Sequence, residues 1–225
     1  MNSKIPIFVG DVHGNAAAMT QIINCYKSEF YTLYWLGDFI NSKDLTTSDK
    51  EIEYVIHLMM EQCHNVLHSN HMHILFEYLT SKIYKVNDKK ITCNWRGWEQ
   101  TKKVVDNLHP SIKRNIIEYI KKSLFTVEVK YQNDTYIAAH SIPQLKTIGQ
   151  VPQVRLTYDQ VMAIGIKSSR NFWKNKYFKE KMKPYKYIIC GHHGMVARFG
   201  NVRIIDLRGA EIPVFDPSID RFRIF

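Results

Sequence analysis

The stretch Ile5-Pro6-Ile7-Phe8-Val9-Gly10-Asp11-Val12-His13-Gly14 decides the fold: an apolar run ends in a carboxylate and an imidazole set between glycines. Four further runs end in polar clusters. Leu33-Tyr34-Trp35-Leu36 leads into Gly37-Asp38, and Val66-Leu67 into His68-Ser69-Asn70-His71. Tyr136-Ile137-Ala138-Ala139 leads into His140, and Tyr187-Ile188-Ile189-Cys190 into Gly191-His192-His193. Continuous apolar runs of this length read as strands buried on both faces. Segments with helical spacing lie between them. Met19, Ile22, Ile23 and Tyr26 follow the first cluster, and Ser48-Asp49-Lys50-Glu51 spells a capping box ahead of Ile52, Val55, Ile56, Met59 and Met60. Pro110 suits the first turn of a helix bearing Ile112, Ile116 and Ile120. Phe125, Val127, Val129 and Tyr131 alternate, and Asn133-Asp134 marks a hairpin turn into Tyr136. Strands alternating with helices make an α/β protein, whose sites collect at the carboxyl ends of strands.

No linker composition breaks the chain, so residues 1–225 are expected to form a single domain, with a helical or hairpin cap around 78–124. At 45% hydrophobic and 23% charged, the composition supplies one sizeable core. The formal net charge of +10 favours anionic partners such as nucleotides, nucleic acids or phosphorylated surfaces. Cys25, Cys63, Cys93 and Cys190 are too scattered for a zinc pattern or a disulfide framework, so reduced thiols in a cytoplasmic protein are expected. The start Met1-Asn2-Ser3-Lys4 lacks the layout of a signal peptide. No apolar stretch approaches the roughly 20 residues that span a bilayer, and no membrane partner is expected.

The strand-end clusters offer carboxylate, amide and imidazole groups and no thiolate. Such a mixture suits Mn²⁺, Fe²⁺, Zn²⁺, Co²⁺ or Ni²⁺ better than an all-oxygen magnesium site. A carboxylate can bridge two cations that together activate water and clamp phosphate oxygens. Taken singly, an Asp-x-His or a strand-end histidine is a weak signal; the ordered set carries the weight. His57, His64, His73 and His109 read as structural or solvated.

The set Gly10-Asp11-Val12-His13-Gly14, Gly37-Asp38, Asn70-His71, His140 and Gly191-His192 resembles the calcineurin-like metallophosphoesterases. The resemblance is greatest to the branch of serine/threonine protein phosphatases, diadenosine tetraphosphate hydrolases and bacterial polynucleotide phosphatases. Gly10 to Ala18 and Gly191 to Ala210 look typical of it. This resemblance implies an αββα sandwich with a binuclear site at the strand ends. By position, Asp11 and His13 would bind a first divalent ion, Asp38 would bridge, and Asn70, His140 and His192 would complete the second. Metal-activated hydroxide would attack phosphorus, and His71 would give a proton to the leaving oxygen.

The pattern also departs from the family. Its second motif usually reads Gly-Asp-x-x-Asp-Arg, whereas this chain has Gly37-Asp38-Phe39-Ile40-Asn41-Ser42. Asn41 carries no charge to stabilise a protonated His71, and Ser42 cannot make the bidentate phosphate contact of an arginine. The third motif, usually Arg-Gly-Asn-His-Glu, is His68-Ser69-Asn70-His71-Met72, so a second arginine is absent. In place of Gly-His-x-His stands Gly191-His192-His193-Gly194; His193 is expected to point elsewhere, with a substrate contact as the alternative. Lys43, Asp44, His68 and Arg170 are candidate replacements, and Arg96 lies between Trp95 and Trp98. Asn41, His68, Arg170 and His193 thus form the candidate substrate-binding set.

A phosphomonoesterase or nucleotide hydrolase is the leading expectation, with a phosphorylated protein, nucleotide or nucleic acid as partner. A phosphodiesterase acting on nucleic acid or a cyclic nucleotide is the alternative, since a diester carries one charge and needs less neutralisation. A third reading is a nucleic-acid-binding protein on an inactive scaffold. It draws on the basic, aromatic segment from Lys167 to Tyr187, which also reads as an ordinary amphipathic stretch.

Overall fold

The computed structural model describes residues 4–41, 47–84, 97–153, 155–165 and 171–225. The first apolar run is β1 (Ile5–Val9), and it pairs in parallel with β2 (Tyr31–Trp35), which pairs in parallel with β3 (Asn65–Val66). Two late strands, β9 (Pro213–Asp216) and β10 (Arg221–Ile224), complete this sheet, β9 lying antiparallel against β1. The second sheet holds β4 (Thr126–Tyr131), β5 (Asp134–Ala139), β6 (Tyr187–Cys190), β7 (Val196–Phe199) and β8 (Val202–Ile205). The two orders are β10-β9-β1-β2-β3 and β4-β5-β6-β8-β7, with β5, β6 and β8 mutually parallel.

Side-chain alternation shows how the layers stack. Phe8, Leu36 and Phe215 of the first sheet share a buried cluster with Tyr136, Ala138, Ile189 and Ile205 of the second, so the sheets pack face to face. Ile7 and Val9 point the other way, into helices α1 (Ala16–Cys25), α2 (Asp49–Gln62), α3 (Asn70–Tyr84), α4 (Trp98–Asn107) and α5 (Pro110–Ile120). On the far side of the second sheet, Ile188, Cys190 and Ile204 pack with Phe172, Trp173 and Met182. Two short helices, α6 (Tyr158–Ile164) and α7 (Lys176–Lys181), belong to that layer. The result is helices, sheet, sheet, helices: the αββα order expected from the sequence.

Local chemistry sets the helix starts. Ser48 and Glu51 form the reciprocal capping box of α2, and Asn15 Oδ1 accepts from the Ala18 amide at the start of α1. Pro110 opens α5, where its missing N–H has no intrahelical role. The described residues of 78–124 are mainly helical, and Trp98, Val105 and Ile117 bury in the same cluster as β1 and β2. Among the described residues, no helix is long and apolar enough to cross a membrane.

Candidate metal centre

Every parallel strand delivers its polar cluster to one edge of the sandwich. Asp11 and His13 follow β1, Asp38 follows β2, and Asn70 and His71 open α3 after β3. In the second sheet His140 follows β5, His192 follows β6, and Asp206 follows β8. The turns are tight. Of seven non-glycine residues with positive φ among the described residues, His13 (44°), Asp38 (45°), Asn41 (64°) and His192 (60°) lie here. Left-handed backbone costs a non-glycine residue about 1–2 kcal/mol, so the packed strands must hold these turns in place. Ser69 helps: its Oγ accepts from the Met72 amide as the cap of α3 and from the Asp38 amide at 3.0 Å.

Two histidines are oriented by backbone carbonyls. His13 Nδ1–H donates to the Asn41 carbonyl at 3.3 Å, and His140 Nδ1–H to the Leu36 carbonyl at 2.8 Å. Each neutral ring is then left with its lone pair on Nε2, the arrangement that outer-shell carbonyls impose on metal-binding imidazoles. Both Nε2 atoms face Asp38 Oδ2, at 3.6 Å from His13 and 3.4 Å from His140. His140 Nε2 also meets Asn70 Oδ1 at 2.8 Å and His192 Nδ1 at 3.2 Å. Lone pairs converging in this way repel one another unless a cation stands between them.

The electrostatics agree with that donor set. Burial raises the Asp38 carboxyl pKa, but the facing imidazoles of His140, His71, His13 and His192 outweigh burial and hold it well below the carboxylate range. Burial, reinforced by His140, pushes His192 down to about 3, which leaves its lone pair available. Asp11 Oδ2 accepts from the His192 amide at 3.0 Å, which ties the first sheet to the second. Gly191 permits this approach, because a Cβ there would overlap Asp11 Oδ1. Three overlapping groups have metal-binding geometry: His13-Asp38-His71, Asp38-His140-His192, and Asp11-His13-Asp206. Carboxylates, one amide and imidazoles without thiolate fit divalent transition ions.

Solved structures share this architecture, among them the three that follow. A "putative diadenosine tetraphosphatase" superposes with a TM-score of 0.60 at 13% identity, over 99% of this chain and 93% of that one. A serine/threonine phosphatase from Saccharomyces cerevisiae, with similarity to human phosphatase PP5, gives 0.59 at 12% identity, over 99% and 79%. A hypothetical protein from Pyrococcus horikoshii OT3 gives 0.52 at 12% identity, over 99% and 87%. The fold is that of the calcineurin-like phosphoesterases. No protein-family model matches the sequence, and no curated protein matches it.

Within this calcineurin-like fold the sequence-derived candidates separate. Asp11, His13, Asp38, Asn70, His71, His140 and His192 come together at one strand-end edge. Asn41 is fully buried and sets its side-chain Nδ2 2.6 Å from His71 Nδ1, so it touches a histidine of the cluster. His68 requires a correction as a replacement cation. It is fully buried, bonded to Ser123 Oγ at 2.9 Å and to His73 Nδ1 at 3.1 Å. Burial, with His73 and His140 nearby, holds its pKa well below that of an ordinary histidine, so it presents no charge to a substrate. His193 turns toward Phe172 and Trp173, with Nε2 3.4 Å from Ser141 Oγ. Arg170, Lys43, Asp44, Trp95 and Arg96 lie outside the described residues. Cys190 is core, as its apolar run implied, and burial raises its thiol pKa.

Asp206 lies within the Gly191 to Ala210 stretch that carries the resemblance but is not among the ligands expected from it. The signal is the same as elsewhere, an apolar run ending in an acid. Arg203 interrupts that run and hides the strand. Arg203 is nonetheless buried, with its guanidinium 4.3 Å from the Tyr187 ring centre and paired with Asp220 at 2.9 Å.

Proposed function

We propose that the chain is a phosphoric ester hydrolase that works with two divalent metal ions. The observation that carries this reading is the convergence of His13, His71 and His140 on one oxygen of Asp38, at the strand ends of a calcineurin-like fold. Asp11, His13 and Asp38 would hold one ion, and Asp38, Asn70, His140 and His192 the other, with Mn²⁺, Fe²⁺, Zn²⁺, Co²⁺ or Ni²⁺ suited to these ligands. When bound, such a pair lowers the pKa of water and neutralises charge on phosphoryl oxygens.

The chain's own groups supply the remainder. His13 and His140, locked by carbonyls, keep their Nε2 lone pairs aimed inward. Buried walls exclude bulk water around Asp11, Asp38 and His140, which strengthens every charge interaction there. His71 Nε2 faces the cluster at 3.7 Å from Asp38 Oδ2 and is the proton donor to the leaving oxygen. Water adds to phosphorus as the ester P–O bond breaks, the departing oxygen takes the His71 proton, and the proton the water gives up restores His71 for the next turnover.

A phosphomonoester, free or on a nucleotide or protein, is the proposed substrate. A diester is the second reading, favoured by Ser42 and the buried, uncharged His68 at the two positions where the family carries arginine. Parallel assays of p-nitrophenyl phosphate and bis-p-nitrophenyl phosphate with Mn²⁺ separate the two. Hydrolysis of neither, by metal-loaded protein, would overturn the hydrolase reading.

A further inference from the structure

The two altered motifs leave the metal centre without the arginines that would grip a phosphate, and His68 does not replace them. The loop after β8 does offer one. Asp206 Oδ1 accepts from the Arg208 amide at 2.6 Å, and Asp206 Oδ2 from the Gly194 amide at 2.5 Å. The next residue, Gly209, lies against His13, where a Cβ would overlap the His13 Cβ, and its carbonyl accepts from Asn15 Nδ2 at 3.3 Å. Arg208 is therefore pinned on both sides, at a left-handed φ of 58°.

Its side chain is just as defined. The guanidinium lies along the backbone of Gly194, where an added Cβ would overlap Nε and stand 2.8 Å from Nη2. Gly194 is two residues beyond His192, and Asp206 is two residues before Arg208, so members of the metal-binding groups flank the guanidinium in sequence on both strands' loops. Arg203 and Arg198 both bond Asp220. The Arg208 guanidinium, by contrast, is exposed and makes no hydrogen bond or ion pair among the described residues.

We propose that Arg208 binds the phosphoryl group of the substrate, as the cation that the altered motifs lack. A guanidinium fork matches two non-bridging phosphate oxygens, and one held by backbone on either side loses little freedom on binding. The inference rests on the hydrolase reading and deepens it, since a clamp of this kind suits the dianion of a monoester.

The test is calorimetric titration of inorganic phosphate into Mn²⁺-loaded wild type, Arg208→Ala, Arg208→Lys and Arg198→Ala, with metal content measured in parallel. Arg208→Ala should weaken phosphate binding about 10- to 100-fold at unchanged metal content, in line with loss of a charge-assisted pair. Arg208→Lys should recover part of it, and Arg198→Ala should bind as wild type. Equal affinity in wild type and Arg208→Ala, or no phosphate binding by wild type, overturns the proposal. If Arg208→Ala loses phosphate affinity but wild type hydrolyses no ester, the hydrolase reading fails and the anion site stands. If wild type hydrolyses esters and Arg208→Ala keeps both its phosphate affinity and its KM, the reverse holds.

Discussion

Asn41 Nδ2 stands 2.6 Å from His71 Nδ1, while Asn41 Oδ1 has no hydrogen-bond partner among the described residues. An amide N–H donating to Nδ1 places the imidazole proton on Nε2, the nitrogen that faces Asp38. A protonated His71 needs an acceptor at Nδ1, and turning the amide over supplies Oδ1 for that purpose. Asn41 thus tolerates both states of the histidine but adds no charge to favour the protonated one.

His71→Ala should lower turnover about 10²–10⁴-fold on a poor leaving group, with metal content nearly intact. The loss should be smaller on p-nitrophenyl phosphate, whose leaving group needs little protonation. Asn41→Asp should move the acid-side pH optimum upward, because a carboxylate beside Nδ1 stabilises the imidazolium. Asn41→Leu, with no acceptor, should resemble His71→Ala. Paired pH–rate profiles check all three, and wild-type turnover by His71→Ala on a poor leaving group would remove His71 from the mechanism.

Metal binding should be two ions per chain, and Asp38→Asn should weaken both sites, because His13 and His140 face the same Asp38 oxygen. Elemental analysis with titration of Mn²⁺ reads this directly. Exhaustive chelation should abolish hydrolysis, and full activity with Mg²⁺ alone would contradict the nitrogen-rich ligand set.

Gly191→Ala should cost stability and the Asp11 site together. The added methyl overlaps Asp11 Oδ1 while the His192 amide holds Oδ2, so the carboxylate has little room to withdraw. Overpacking of this kind costs about 1–3 kcal/mol. Urea unfolding should show that loss, and metal content should fall from two ions toward one. Unchanged stoichiometry would mean that Asp11 is not a ligand.

Acid should unfold the metal-free protein in a window set by two histidines. His192, down at about 3, and His68, also well below its ordinary value of 6.5, stay neutral when folded and take up protons once unfolded. Between about pH 6.5 and the lowered values the unfolded chain binds more protons, so stability rises with pH and is lost as pH falls. Chelator-treated protein should show this in denaturation midpoints from pH 7 to pH 4. His68→Phe should flatten the slope at the cost of the Ser123 and His73 bonds.

The fold and most of the cluster were legible because one rule produced both: an apolar run buried on both faces, then a polar residue where the strand stops. That rule holds for Asp11, Asp38, His140 and His192. It failed at Asp206 because Arg203 buries its charge against Tyr187 and Asp220, which no apolar pattern reveals. Side-chain direction was also out of reach. His68 precedes the cluster in sequence yet faces Ser123. Nor could sequence show that the Asn41 carbonyl orients His13, since that contact spans 28 residues of chain.

The position of β9 bears on how the protein is made. β1 precedes every other described strand in the sequence, yet one of its two neighbours is β9, with Phe8 opposite Phe215 and the Gly10 amide bonded to the Pro213 carbonyl. At about 5–20 residues per second, a nascent chain spends roughly 10–40 s with that flank of β1 open. Throughout this interval the Asp11–His13 turn lacks the strand that anchors its entry. The earliest of the candidate metal-binding loops in this sequence is therefore among the last to have its entry strand fixed.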